Sequence, residues 1–151
     1  MKNFPDITVI QAWARLAKAQ QLALAAIERR LKSAGLPPLA WYDALLELER
    51  AGARGLRPFE LECELLLSQC NLSRLVDRLV KENLAARRAC QDDGRGQFIV
   101  ATAAGKALRR RMWKHYRPAI QGALGDHLSA PQVATLGRIL GRLIERQSRA
   151  R

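Results

Sequence analysis

Residues 68–105 read SQCNLSRLVDRLVKENLAARRACQDDGRGQFIVATAAG and carry the pattern that decides the fold. Between Gln69 and Lys81 apolar residues recur at spacings of three and four, which predicts a helix with one apolar face and Ser68 as its N-cap. The opposite face is polar and basic, as on most surface helices, so this helix alone does not distinguish a solvated face from a binding face. The apolar positions are Leu72, Leu75, Val76, Leu79 and Val80.

A predicted β-hairpin follows this helix. Segments 84–90 and 97–101 have strand character and flank Asp-Asp-Gly-Arg-Gly, and Asp-Gly between such segments is typical of a hairpin turn. Arg87 and Arg88 lie on the first arm, and Arg95 lies at the tip, placed to enter a minor groove with its enhanced negative potential. A helix followed by such a wing presents one surface to neighbouring grooves of duplex DNA.

The polar residues of this surface have the chemistry for reading DNA. Asn and Gln can pair bidentately with adenine in the major groove, and Arg can pair with guanine. The wing arginines and an acidic residue that holds the tip complete the set. The predicted DNA-binding residues are Gln69, Asn71, Ser73, Arg74, Arg78, Arg88, Asp93 and Arg95.

The stretch from 59 to 105 resembles the winged helix-turn-helix of the MarR family of transcriptional regulators. The run SRLVDRL at 73–79, with a wing behind it, is a specific signal. Other matching positions are Glu60-Leu61, Leu65, Leu67-Ser68, Leu84, Arg88, Asp93, Arg95, Thr102 and Gly105. The chain departs from the family pattern at Glu62, Leu66, Cys70, Asn83 and Ala101, and these departures remove no DNA-facing charge.

Composition agrees with a basic, mainly helical protein. The chain has 151 residues, 48% hydrophobic and 5% aromatic, and a net charge of +12. Residues 85–151 hold 14 Lys/Arg against 4 Asp/Glu, a field that attracts polyanions. The wing has no apolar tip for a membrane and no aromatic platform for RNA, so duplex DNA is favoured. Without a long apolar span or a secretory signal, we expect a cytoplasmic protein with no membrane partner.

Helices at both ends of the chain carry apolar stripes that a small winged domain cannot cover. One stripe holds Ile10, Trp13, Leu16, Ala17, Leu24, Ile27 and Leu31, and the other holds Val133, Leu136, Ile139, Leu140, Leu143 and Ile144. Packing these helices together in a two-fold homodimer would bury both, and Ser129 and Pro131 mark the start of the last helix. The MarR resemblance implies the same intertwined base.

We expect one MarR-like domain over residues 1–151. Its dimerisation helices would lie at 8–34 and 106–149, and its winged helix-turn-helix region at 38–105. The fold class is therefore mainly α, with a small β-hairpin wing. Two-fold symmetry predicts a pseudo-palindromic operator with half-sites about 10 base pairs apart.

The family resemblance also implies a crevice that binds a small effector and thereby weakens DNA binding. Aromatic side chains can stack on a ring and a cation can meet a carboxylate, so we expect an aromatic carboxylate or a phenolic compound. Each aromatic residue taken singly is more often part of a core. The candidate ligand residues are Trp13, Arg15, Trp41, Tyr42 and His115.

Cysteines and histidines give little support for other chemistry. Cys63 is expected in the core and Cys90 has no predicted role, whereas Cys70 lies near a helix N-terminus, a position typical of reactive thiols. His115 and His127 stand twelve apart without metal-ligand spacing. We expect no metal, no cofactor and no catalytic residue, and hence no enzyme.

Three functions remain open. The first is a ligand-responsive DNA-binding regulator, most simply a repressor. The second is an architectural or partner-binding winged protein that senses nothing. The third is a regulator that responds to oxidation of a thiol.

Overall fold

The computed structural model describes residues 4–65, 67, 69–89 and 96–149. Predicted Ser68, and the wing-tip residues Cys90, Asp93 and Arg95, lie outside the described residues. Eight elements carry the fold: α1 (Ile7–Ser33), α2 (Leu39–Ala51), α3 (Pro58–Leu65), α4 (Gln69–Lys81), β1 (Ala85–Ala89), β2 (Gln97–Ala101), α5 (Ala103–Ala123) and α6 (Ala130–Ser148). Short 3-10 turns lie at Gly52–Arg54 and Gly125–His127. The mainly helical fold with a small hairpin wing is confirmed.

The chain divides into two compact units, which we call the winged unit and the terminal unit. The winged unit is Leu31–His115, and the terminal unit comprises the residues up to Arg30 together with those from Tyr116. None of the described helices is both long enough and apolar enough to cross a bilayer.

The winged unit has a closed apolar core. The largest fully buried side chains of the described residues all lie in it, and they come from α1, α2, α3, α4, β2 and α5. These side chains are Leu31, Leu45, Leu48, Leu61, Leu79, Ile99 and Met112. Burying a leucine contributes about 2 kcal/mol, so this set holds the unit together.

A small antiparallel sheet builds the wing. β1 pairs with β2 so that Arg87 lies opposite Ile99 and Arg88 opposite Phe98. Leu56 adds a third pairing, donating its N–H to Ile99 O at 2.9 Å and accepting from Ile99 N at 2.8 Å. Gly55 permits this approach, since it has φ +75° and a Cβ there would overlap Ile99 O.

The junction between β2 and α5 depends on Thr102 and Gly105. The Thr102 hydroxyl donates to Asn83 O at 2.7 Å and accepts from Gly105 N at 3.0 Å. A Cβ on Gly105 would overlap Leu84 O, so only glycine fits this close approach. Asn83, which replaces the glycine common in the family pattern, has φ +57°, a conformation that Asn tolerates well.

The terminal unit lacks such a core. Among its described residues only Ile27 and Ala119 are buried, and no side chain of α6 is. The α6 helix begins as predicted, with Ser129 as its N-cap, Ser129 N donating to Gln132 Oε1 at 2.8 Å, and proline in the first turn. The exposed apolar side chains include Ile10, Trp13, Leu16, Leu24, Ile139, Leu143 and Ile144.

One packing expectation was wrong. Cys63 is exposed, as is Cys70, although the sequence suggested that Cys63 fills the core. Cys63 follows buried Leu61 by two positions on α3, and a step of two in a helix turns a side chain about 200° away from its neighbour.

Candidate nucleic-acid interface

The α4 helix separates an apolar face from a polar one. Its side chains Leu72, Leu75, Val76 and Leu79 are buried in the winged unit. The predicted reading residues all lie on the exposed side of the helix, and they are Gln69, Asn71, Ser73, Arg74 and Arg78. Because the burial of the apolar face fixes the rotation of the helix, these side chains are presented together on the surface of the winged unit.

An ion pair joins α4 to the wing. Arg87 Nη2 on β1 donates to Asp77 Oδ1 on α4, and both side chains remain partly exposed. Exposed pairs contribute at most about 1 kcal/mol to stability, but this one ties the first wing strand to the reading helix. Asp77 places a negative charge among the reading residues, and the pairing with Arg87 offsets it.

Arg88 holds the opposite face of the wing. Successive side chains of a strand point to opposite sides, so Arg88 and its partner Phe98 face away from Arg87. The Arg88 guanidinium donates to Ala53 O and, at 3.4 Å, to Arg54 O in the turn before α3. Arg88 as a DNA contact stays a prediction, and in this structure its side chain anchors the hairpin.

Two arginines that the sequence analysis did not select flank the Phe98 ring. The Cζ atoms of Arg54 and Arg57 lie 5.7 and 5.2 Å from the ring centroid, within the range of cation–π attraction. Arg54 Nη2 also donates to Glu60 Oε1 at 2.9 Å, while the backbone N–H of Arg57 donates to Glu60 Oε2 at 2.9 Å. A local signal existed in Arg54-Gly-Leu-Arg57, but about 40 residues separate it from Phe98.

These hydrogen bonds change the acidity of Glu60. The Arg57 backbone N–H, followed by the Arg54 guanidinium, stabilises the carboxylate and lowers its pKa below the ordinary value of 4.5. Glu60 is therefore ionised at neutral pH and holds the turn before α3 in place.

A groove of about 600 Å³ runs between α3, α4 and the hairpin. Gln69 and Ser73 line it from α4, Arg57 from the segment before α3, and Arg87 and Gly96 from the wing. Apolar side chains, among them Leu72, Val76 and Ile99, also line it. The groove is thus lined by two predicted reading residues, Gln69 and Ser73, and by two arginines, Arg57 and Arg87.

The candidate ligand residues fall into different environments. Trp13 and Arg15 are exposed on α1 in the terminal unit, whereas Trp41, Tyr42 and His115 belong to the winged unit. Tyr42 is buried and stacks on Trp113, with ring centroids 6.0 Å apart. It is thus a core residue in this structure.

Near Tyr42, Arg109 ties α5 to α2. Its Nε donates to Glu49 Oε2, and its Cζ lies 5.9 Å from the Tyr42 ring centroid. The hydrogen bond to Glu49 raises the pKa of Arg109 above its ordinary value, which favours the charged guanidinium.

Trp41 lines a second cavity of the winged unit. This cavity has a volume of about 640 Å³ and is bounded by the segment before α2, the end of α4 and the first half of α5. Arg111 and Glu82 supply its charged groups, and Leu84 and Leu108 supply apolar surface. His115 does not line it.

Comparison with known proteins places this architecture. A family model described as the MarR family matches residues 34–96. Among curated protein sequences, none matches this chain.

Solved structures match over nearly the whole chain. Sco3205 of Streptomyces coelicolor, a MarR family transcriptional regulator solved in complex with DNA, is 28% identical, with a TM-score of 0.85 over 96% of this chain and 91% of its own.

Two further structures share the fold. A mutant of MarR from E. coli, complexed with operator DNA, is 22% identical, with a TM-score of 0.79 over 92% of this chain and 99% of its own. BpsR of Bordetella bronchiseptica, whose DNA binding is regulated by 6-hydroxynicotinic acid, is 20% identical, with a TM-score of 0.78 over 88% of this chain and 98% of its own. With the family model, the winged fold and the exposed reading helix in agreement, residues 34–96 match the winged helix-turn-helix of the MarR family of DNA-binding transcriptional regulators, and the chain as a whole shares the fold of its solved members.

Proposed function

We propose that the protein is a cytoplasmic, homodimeric repressor that binds a pseudo-palindromic operator and leaves it when a small aromatic acid binds. The observation that carries the DNA-reading step is α4, whose apolar face is buried while Gln69, Asn71, Arg74 and Arg78 are exposed. Amide and guanidinium groups on one helix face suit the donor and acceptor pattern of a major groove. Arg95, held by Asp93, would enter the adjacent minor groove.

Exposed apolar side chains in the terminal unit support the dimer. Seven side chains on the stripes of α1 and α6 are exposed in a single chain, and large exposed apolar surfaces are typical of protein interfaces. Residues 8–34 and 106–149 would form the shared base, leaving 38–105 to bind DNA. Two copies related by a two-fold axis present two α4 helices to half-sites about 10 base pairs apart.

Selection from random DNA followed by footprinting tests this function. A regulator enriches a short pseudo-palindrome and protects it as a dimer, at concentrations far below those needed for unrelated duplex. An architectural protein protects all sequences equally, and that outcome would overturn the proposal. Transcription of a reporter placed behind the enriched site then separates repression from activation.

The Trp41 cavity is the site that we propose for the effector. Trp41 offers an aromatic face and Arg111 a cation, which fit the ring and the carboxylate of a small aromatic acid. The control of BpsR by 6-hydroxynicotinic acid gives this ligand class a precedent in a protein of the same fold.

Thermal shift and operator release test the ligand together. A panel of hydroxylated aromatic carboxylic acids, including 6-hydroxynicotinic acid, should contain a compound that raises Tm and releases operator DNA, because a ligand bound only to the native state stabilises it. Arg111→Gln should abolish both effects, while Arg110→Gln, on the same helix but not lining the cavity, should preserve them. A compound that acts equally on both variants would exclude this cavity.

A further inference from the structure

The Trp41 cavity carries two charged groups of opposite sign. Arg111 lines it from α5, and Glu82 lines it from the position that follows α4. The other lining residues are apolar, aromatic or glycine. The volume of about 640 Å³ lies within the usual range of small-molecule sites, about 300 to 1,000 Å³. The cavity therefore combines an uncharged wall with one cation and one anion.

Neither charge is neutralised within the described part of the chain. No ion pair between described residues includes Glu82 or Arg111, and both residues are exposed. Along α5, the positions three and four residues away from Arg111 hold no acidic side chain that could pair with it. Both groups are thus available to a molecule that enters the cavity.

The position of Glu82 favours a cation at its end of the cavity. The α4 helix ends at Lys81, so Glu82 lies where the aligned peptide dipoles leave a partial negative charge. The last turn of α4 also holds Arg78 and Lys81, but neither of them lines the cavity. The carboxylate and the end of the helix have the same sign, and together they attract a positive group.

A ligand that carries only a carboxylate would use one half of this site. The guanidinium of Arg111 can pair with it through two parallel hydrogen bonds, whereas the carboxylate of Glu82 repels it. A protonated amine on the same ligand replaces that repulsion with a charge-assisted hydrogen bond. The ring can lie against Trp41 and Leu108 in either case.

We propose that the Trp41 cavity selects a zwitterion, a small aromatic ring that carries a carboxylate for Arg111 and a protonated amine for Glu82. The assignment rests on the proposed effector site and narrows its ligand from aromatic acids in general to those with an amine that is protonated at neutral pH. Binding of such a ligand pairs both charges of the cavity.

A matched series of ligands tests the assignment by calorimetry on the wild-type protein. Benzoic acid carries only the anion, benzylamine carries only the cation, and the three isomers of (aminomethyl)benzoic acid carry both at different separations. The best isomer should bind about tenfold more tightly than benzoic acid, because it gains a charge-assisted hydrogen bond and avoids the repulsion. If no isomer binds more tightly than benzoic acid, the assignment is overturned.

Two variants separate the roles of the charges. Glu82→Gln should weaken the best isomer about tenfold and leave benzoic acid bound as tightly as before or more tightly, so that the preference for the zwitterion is lost. Arg111→Gln should weaken benzoic acid and the isomer alike, but it should not weaken benzylamine. Thermal melting without ligand checks that each variant is folded.

Matched controls remove the same charges outside the cavity. Glu64→Gln on α3 and Arg110→Gln on α5 change exposed residues that do not line it. Both should retain the wild-type affinities for the whole series. If Glu82→Gln keeps the preference of the wild type as Glu64→Gln does, the amine does not bind at Glu82 and the assignment is overturned.

The effector function can fail independently of this assignment. If the best isomer binds selectively and requires both charges but does not release operator DNA, the ligand class holds and the regulatory role fails. If an aromatic acid without an amine binds the cavity and releases operator DNA as well as the best isomer does, the regulatory role holds and the zwitterion is overturned.

Discussion

The winged unit and the terminal unit are built from the same chain but differ in what a single copy can complete. The winged unit buries the large apolar side chains of five helices and the wing around residues such as Leu45, Leu79 and Ile99. In the terminal unit Ile27 and Ala119 are the buried residues of the described part, and the other side chains of the α1 and α6 stripes in this unit are exposed or half-buried. The winged unit therefore has a closed apolar core within a single chain and the terminal unit does not, so we expect the two to respond differently to mutation and to protein concentration.

The largest effect should come from a charge placed on the apolar stripe of α1, in the terminal unit. Leu24→Asp should raise the dimer dissociation constant about 1,000-fold or more, roughly 4 kcal/mol, because each copy would bury an unpaired carboxylate at the interface. Leu22→Asp lies on the opposite face of the helix and should have little effect, although Leu22 is the more exposed side chain in one chain, at 61% against 38%. Analytical ultracentrifugation over a concentration series gives both constants. Equal dissociation constants for the two variants would mean that the stripe is not the interface.

A cavity created by mutation in the core of the winged unit should lower stability without changing dimer formation. Leu45→Ala removes a fully buried side chain of α2 and should lower the free energy of unfolding by about 3 kcal/mol. Urea denaturation measures the loss, and the dimer dissociation constant measured under native conditions should stay close to that of wild type. A large change in that constant would show that the core of the winged unit also affects assembly.

Replacing a single reading arginine of the winged unit should lower operator affinity. Arg74→Ala should cost about 2 kcal/mol of operator binding, or about 30-fold, if its guanidinium reads a base in the major groove. Arg142→Ala, at an arginine of α6 that is also exposed, should change affinity much less. Fluorescence anisotropy with the selected operator compares the two, and similar losses would point to general electrostatic attraction instead of readout.

A smaller loss is expected at the wing tip. Arg95→Ala should weaken operator binding by about 1 kcal/mol and leave Tm unchanged, because the side chain is predicted to meet the negative potential of a narrow minor groove. Binding to operators with an A·T-rich or a G·C-rich flank distinguishes this role, since the loss should be larger on the narrower groove. Unaltered affinity on both would remove the tip from the reading mechanism.

The smallest effect should appear at Glu60 and should depend on pH. Its pKa is lowered in the folded protein, so its stabilising contribution is present above the ordinary value of 4.5 and is lost as the pH falls through the lowered value. Glu60→Gln should therefore reduce Tm slightly at neutral pH, and the difference from wild type should shrink in acid. Tm profiles from pH 7 to pH 3 provide the measurement, and a difference that is constant over this range would contradict the role of the carboxylate.

Whether the sequence predicts a feature depends on how far apart along the chain the interacting residues lie. The bounds of α4 and β2 agree with the predicted segments, because the helical and strand periodicity of these elements lies in consecutive residues. The predicted burial of Cys63 was wrong, because α3 has only eight residues and too few apolar positions to fix the rotation of the helix.

Roles that depend on strand register were harder to predict. Arg87 and Arg88 are neighbours of the same residue type. In the sheet, Arg87 lies opposite Ile99 and contacts α4, whereas Arg88 lies opposite Phe98 and contacts the turn before α3. The cluster of Arg54 and Arg57 on Phe98 joins segments about 40 residues apart, and no local pattern announces that contact.

The close approach at Gly105 limits how this sequence can evolve. Because even a methyl group there would overlap Leu84 O, every single substitution should be selected against, including those that leave all DNA-facing charges intact. A mutational scan of the living cell would therefore show position 105 as intolerant as any reading arginine, although it touches no DNA. Intolerance to mutation at this position would reflect the close contact between the backbones at Gly105 and Leu84, and not contact with DNA.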